Sequence, residues 1–265
     1  MDIAVLVKAS LDVNMIKADS EGKILLDSIP LAISEYDRNA VAEAVRIKGE
    51  LGGKVVAFSV LTWGPADKRA KEIENVMREA LALGADEAHV VVDDSILPGD
   101  VSVTAEVLSN LIKKTGDFGI ILAGEGSMDM MSSQLPVRIA YNLGYPVATF
   151  ARKIEVINGA VKVTRDLEDV LQVVELPLPA VVSVTGEINQ PRLPTLLQIR
   201  KSFAKPYKAY TLSDIGMDVP EKLFPFDDIK LVTVSRKNIV IEGENLEEIA
   251  EKLIDKLVEE GVVRV

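Results

Sequence analysis

Short apolar runs alternate with amphipathic stretches through the first half of the chain, and this alternation limits the folds open to it. Runs at 2–8, 54–60, 87–92 and 118–123 each suit one buried strand. Between them, 36–51, 66–83 and 101–115 carry apolar residues at helical spacing. In the first of these, Ala40, Val41, Ala44, Val45 and Ile47 share a face, and "LGG" at 51–53 supplies a stop. Strands that are apolar throughout are buried on both faces, which calls for helices above and below a parallel sheet. The expected class is α/β, a mostly parallel sheet with flanking helices.

The texture changes after Pro146. Residues 148–157, 161–165 and 170–176 are strand-like, with Asn158-Gly159 as a two-residue hairpin turn, and 180–184 is a further short strand. An antiparallel extension of the parallel core follows. "QPRLPT" at 190–195 interrupts the chain before a short basic helix at 196–202. From 205 to 226 prolines and aspartates without periodicity read as an extended arm, followed by a strand near 229–235 and a helix at about 245–260. That helix carries an apolar stripe of Leu246, Ile249, Leu253 and Leu257, which needs cover from its own domain or from another subunit. The expected organisation is an α/β domain over 1–204 and a C-terminal arm over 205–265.

With 48% hydrophobic residues the chain can bury a sizeable core. A formal net charge of −11 argues against a nucleic-acid partner held by phosphate neutralisation. The absence of cysteine excludes disulfides, thiolate catalysis and cysteine-ligated metal. The single histidine, His89, lies in the strand-like "DEAHVVV" with no nucleophile nearby, so a structural role is expected. The first apolar run is too short for a signal peptide or a membrane span. No membrane insertion and a cytoplasmic location are the expectations.

An open parallel sheet gathers ligand contacts at the carboxyl ends of its strands. Four loops qualify: 8–12, 34–37, 62–65 and 124–134. The last, "GEGSMDMMSSQ", is far longer than a plain connection requires. Gly124 and Gly126 are not followed by a third glycine, and no lysine follows as in a P-loop, so neither common phosphate signature is present. Ser127, Ser132, Ser133 and Gln134 can hydrogen-bond phosphate or ribose oxygens, or simply cap the next helix. Met128, Met130 and Met131 suit packing as well as ligand contact. Asp37 reads first as a helix cap and only then as a ligand contact, and Trp63 as a packing anchor or a stacking platform.

Taken together, the loops carry a more specific pattern. Val7-Lys8 and Asp12 match a V-K-x-x-x-D strand end, and "SEYDRNAVAEAVRIK" (34–48) matches an N-P-F-[DC]-E-x-A-[LV]-E-E-A-[LV]-R-[LI]-K segment. Gly64-Pro65 and "ALALGAD" (80–86) match a further pair, and Gly124, Asp129 and Gln134 fall at the spacing of a G-[KR]-Q-A-I-D-x-D-x-x-Q loop. "LPAVVSV" (178–184) and "NQPRLPTL" (189–196) complete the set. In these motifs, over about residues 1–202, the chain resembles the β-subunit of electron transfer flavoprotein. It departs from the pattern at Ser34-Glu35, where Asn-Pro is usual. Glu125-Gly126-Ser127-Met128 stands in place of K/R-Q-A-I, and Asp169-Val170 where two glycines are common.

The resemblance implies an adenine nucleotide α-hydrolase-like fold, so that 1–204 would be a nucleotide-binding domain. It also implies a heterodimer with an α-subunit carrying a redox FAD. The β-site would hold FAD, in members that bifurcate electrons from NADH, or AMP as a structural cofactor. Leu6, Ser34, Glu35, Tyr36, Asp37 and Trp63 would line the nucleotide. So would the loop of Gly124, Glu125, Gly126, Ser127, Met128, Asp129, Met130, Met131, Ser132, Ser133 and Gln134, with Leu135 behind it. Leu196 would anchor a dehydrogenase or a quinone-linked oxidoreductase, with Pro191, Arg192, Arg200 and Lys201 around it, and the C-terminal arm would clasp the α-subunit. No catalytic acid or base is implied, since the cofactor carries the chemistry. The alternative is a non-redox AMP- or ATP-binding module on the same fold.

Overall fold

The computed structural model describes residues 1–157, 159–219, 221, 229–232 and 236–264. The apolar run at the N-terminus forms β1 (Ile3–Leu6), buried at every position. It is followed by a two-stranded antiparallel piece, β2 (Ala9–Leu11) and β3 (Leu31–Ile33), which the sequence reading had not anticipated. Helices and strands then alternate as α1 (Glu35–Leu51), β4 (Val55–Val60), α2 (Ala66–Leu83), β5 (Glu87–Val91), α3 (Val101–Thr115), β6 (Ile120–Gly124) and α4 (Leu135–Leu143). Next come β7 (Val147–Ile157), β8 (Ala160–Asp166), β9 (Leu171–Pro177), β10 (Ala180–Val184), α5 (Leu196–Ser202), β11 (Tyr207–Tyr210) and, near the C-terminus, α6 (Leu246–Glu259).

One nine-stranded sheet has the order β11-β5-β4-β1-β6-β10-β7-β8-β9. Every pairing from β11 across to β7 is parallel, and β7–β8–β9 is an antiparallel meander. The mostly parallel α/β sheet with an antiparallel extension is therefore as expected. Period-two alternation sends Ile120 and Leu122 of β6 into the layer beneath α1 and α2. Ile121 and Ala123 go into the opposite layer with α3 and α4. Asp100 caps α3 by accepting from the Ser102 and Val103 N–H groups.

The chain does not leave the sheet at residue 205. Tyr207–Tyr210 adds β11 to the outer edge of β5. Two cross-element contacts fix it there. The Tyr210 hydroxyl bonds His89 Nδ1 at 2.9 Å, and the His89 ring lies stacked between those of Phe58 and Tyr210. Arg78 of α2 donates to Ser202 O and Lys205 O and lies over the Phe203 and Tyr207 rings. His89 is thus structural, and burial pushes it below the usual imidazole range, although Glu87 pulls the other way.

Two compact units result, 1–230 and 231–265. The boundary expected at 204/205 falls inside the first unit, because a segment without periodicity can still supply an edge strand. Ile229 belongs to that unit, packing on a small cluster of Leu11, Ile29 and Trp63. Of the strand expected at 229–235, residues 229–232 show only an isolated bridge at Lys230, and 233–235 lie outside the described residues. Asn158 of the expected hairpin turn, and much of the expected arm (220 and 222–228), also lie outside them. In the second unit α6 begins at an Asn245 cap and leaves Leu253, Ile254 and Val258 exposed. Among the described residues no helix is long and apolar enough to cross a membrane.

Ending the chain at residue 204 should bare the edge of β5 together with the His89 ring, whereas ending it at 230 keeps the sheet whole. The shorter chain is expected to unfold at a clearly lower urea concentration and to aggregate on concentration. Equal midpoints for the two truncations would show that β11 contributes nothing.

Candidate functional site

The sheet grows in one direction from β1 through β4 and β5, and in the other through β6 and β10. Strand order reverses between β1 and β6, so a crevice opens where their carboxyl ends part. Its walls come from Leu6, Val7 and Lys8 at the end of β1, Asp37 of α1, and Val60 and Thr62 at the end of β4. The start of α3 adds Gly99, Asp100, Val101, Thr104 and Leu108. The β6–α4 connection closes the circuit with Gly124, Glu125, Gly126, Ser127, Met130, Ser132, Ser133 and Leu135. About 870 Å³ lies between these walls, counting the open mouth.

Asp37 sits at the base of the crevice. One carboxylate oxygen accepts the Lys8 N–H at 2.7 Å and the other the Gly124 N–H at 3.3 Å. These are the N–H groups at the ends of the two central strands, where the ladder between them has run out. Burial pushes the Asp37 carboxyl up to about 7, against the pull of the two N–H groups and of the Lys8 charge. Gly124 is required here by space: a Cβ would lie 2.7 Å from Asp37 Oδ1 and equally close to Tyr36 Cβ.

Asp129 organises the loop from the opposite side. Its carboxylate accepts from Lys8 Nζ at 2.6 Å, Trp63 Nε1 at 2.7 Å and the Leu11 N–H at 3.1 Å. Lys8 Nζ also reaches Ser127 Oγ at 3.3 Å. Burial would raise Asp129, yet the Lys8 ammonium and these hydrogen bonds hold it below the ordinary carboxylate range. One buried carboxylate therefore ties three strand-end loops together. The loop itself is taut, with Met131 and Ser133 at φ 46° and 54°. Gln134 turns its side chain to Arg138 and does not cap α4, so the first-turn N–H groups of that helix have no side-chain partner from it. Such groups favour an anion.

The electron transfer flavoprotein domain matches residues 23–215. Electron transfer flavoprotein subunit beta of Thermoanaerobacterium thermosaccharolyticum is 33% identical over 263 residues, which cover 97% of this chain and 98% of that protein. The subunit of the same name from Clostridium acetobutylicum is 30% identical, over 99% of this chain and all of that one. Caffeyl-CoA reductase-Etf complex subunit CarD of Acetobacterium woodii is likewise 30% identical over 99% of this chain. The chain belongs to the electron transfer flavoprotein family. Electron transfer is the activity of that family, and two of the three relatives named here are its β-subunits.

Within this flavoprotein fold the residues singled out from sequence divide by position. Leu6, Asp37, Gly124, Glu125, Gly126, Ser127, Met130, Ser132, Ser133 and Leu135 wall the crevice. Trp63 and Asp129 stand behind the wall as its brace. Ser34 is wholly buried at the start of α1, and Tyr36 packs beside Gly124. Glu35, Met131 and Gln134 are exposed, and Met128 is half-buried. The α3 side of the crevice, including Asp100 and Thr104, escaped the sequence reading. The signal was there: 92–100 is a fifth strand-end loop, and "PGD" before an amphipathic run marks a helix start.

The "NQPRLPTL" motif is anchored at both of its ends. The Asn39 side chain donates to Gly186 O, Asn189 O and Asn189 Oδ1, and Asn189 Nδ2 returns a bond to Asn39 O at 3.1 Å. Thr195 and Gln198 close a reciprocal cap on α5. Between these anchors Leu193 and Leu196 stand 83% and 87% exposed. Pro191 is half-buried, and Arg192, Arg200 and Lys201 are exposed.

Asp129→Asn is expected to lower the free energy of unfolding by roughly 3 kcal/mol at pH 7, since it leaves the Lys8 ammonium without its counter-charge. A carboxylate held below its usual range adds stability above the unfolded value and loses it as pH falls. The wild type should therefore lose this increment below about pH 4, while the variant shows no such loss. Urea titrations of both proteins between pH 3 and 7 measure the difference.

Proposed function

We propose that the crevice holds a nucleotide, FAD, and that the chain serves as the β-subunit of an electron-transferring heterodimer. The observation that carries the reading is the mixed chemistry of the crevice lining. Ser127, Ser132 and Ser133, with the main chain at the start of α4, offer O–H and N–H groups suited to phosphate oxygens. Leu6, Val60, Val101 and Leu108 supply apolar walls suited to a planar ring system. These residues fit a dinucleotide.

When bound, the flavin would supply the redox chemistry. The residues of this chain would orient it, keep water from one face, and set its electrostatic surroundings. No group of three or more His, Asp or Glu among the described residues could hold a metal ion. The α-subunit would carry the second flavin, and the exposed side of α6 would dock on it. Leu193 and Leu196, rimmed by Arg192, Arg200 and Lys201, would enter an apolar pocket with an acidic rim on a dehydrogenase or a quinone-linked oxidoreductase. In a bifurcating complex NADH would be the donor. The cytoplasm is the proposed compartment.

Nucleotide extraction from the purified α/β complex tests the assignment. Two FAD per dimer are expected, and one FAD with one AMP would replace flavin by AMP in this crevice. A stable colourless homodimer that hydrolyses ATP would favour the non-redox module instead. Leu196→Glu is expected to weaken dehydrogenase binding at least tenfold, as loss of a buried anchor does, with unchanged nucleotide content. Surface plasmon resonance with the extraction assay reads both outcomes.

A further inference from the structure

The charges around the crevice do not suit the ligand proposed for it. Asp37, Asp100 and Glu125 line it, and Asp129 lies directly behind. Lys8 is the cation of the lining, and its ammonium is engaged by Asp129 at 2.6 Å. A phosphate-bearing ligand entering this surrounding meets more negative charge than positive, in a partly water-excluded space where such repulsion is strong.

Protonation of one carboxylate relieves the conflict, and the surroundings of each group identify which one. Asp129 is held ionised by Lys8, Trp63 and the Leu11 N–H. Asp100 caps α3, where a negative charge is favoured by the helix terminus. Burial and then the like charge of Glu187 push Glu125 upward as well, but Glu125 is only half-buried and keeps its contact with water, which lessens its repulsion of a bound anion. Asp37 is almost wholly buried, and its oxygens meet main-chain N–H groups with no cation in hydrogen-bonding contact. The charged groups acting on it are Lys8 from the end of β1 and Asp129 from the loop after β6. Both are already paired with each other.

We propose that Asp37 takes up a proton when an anionic nucleotide enters the crevice, so that binding at this site is coupled to protonation. The geometry permits it, because a neutral carboxylic acid can accept the two N–H bonds that hold the strand ends and still offer an O–H toward the ligand. Its pKa, already near neutrality without ligand, places the coupling in the physiological range. This inference rests on the nucleotide reading of the crevice, and the test separates the two.

The full chain is stripped of nucleotide and titrated with AMP, FAD and, as the uncharged control, adenosine. Calorimetry at pH 8 in buffers of different ionisation enthalpy counts the protons exchanged. For the wild type AMP should take up about one proton more than adenosine, and the AMP-to-adenosine affinity ratio should fall about tenfold per pH unit above pH 7. Asp37→Asn should abolish both effects, and Glu125→Gln should keep them. Should Asp37→Asn fail to fold, the wild-type proton count and affinity ratio decide alone. AMP binding with no proton uptake, or uptake lost in Glu125→Gln, overturns the proposal and leaves the nucleotide reading standing. Failure of AMP, adenosine and FAD alike to bind overturns the nucleotide reading and this proposal together.

Discussion

The carboxylate of Asp37 joins the ends of the two central strands at the point where they part. Parallel strands share a ladder only while they run side by side, and the pairing of β1 with β6 ends at Val5 and Leu122. Their last N–H groups would otherwise be buried donors with no acceptor, a costly state. Asp37 accepts both from the first turn of α1, and so fixes where that helix begins against the sheet. The crevice exists because this junction is closed by a side chain and not by further strand pairing.

Much else follows from that junction. Gly124 has no room for a Cβ because Asp37 and Tyr36 lie against it. The chain leaves β6 directly beneath α1 and must cross the crevice before it can start α4. The loop that makes the crossing is held at its middle by Asp129, which is bound in turn to Lys8 and Trp63. The two aspartates perform different tasks with the same functional group. Asp129 has a full counter-charge and stays ionised. Asp37 has only main-chain donors and is poised to change protonation state.

The helix that carries Asp37 also reaches the exposed leucines. Two residues along α1, Asn39 binds the Asn189 side chain and main chain, and so anchors the turn that presents Leu193 and Leu196. The far end of that segment is fixed to α2 by Arg78, through Ser202 O and Lys205 O. Large apolar side chains held in water by rigid anchors lose little conformational freedom when a partner covers them. The crevice and the apolar projection are thus both tied to one helix, through Asp37 and Asn39.

Periodicity and apolar runs along the chain were enough to determine the parallel core, its helices, the meander and α5, because each of those elements is specified by residues within one or two turns or strands of one another. The motif spacing determined the family for the same reason. The pairings that define the site are not local. Asp37 with Gly124, Lys8 with Asp129, and Asn39 with Asn189 join residues 87, 121 and 150 positions apart. From sequence Asp37 read as a helix cap before a ligand, and nothing in the spacing showed that Asp129 braces Lys8, Trp63 and Leu11. The edge strand Tyr207–Tyr210 was invisible for a related reason: its place depends on a histidine and an arginine from distant elements, not on any pattern of its own. Only the folded chain decides which buried carboxylate has a counter-charge, since burial and charge separation are properties of three-dimensional neighbours.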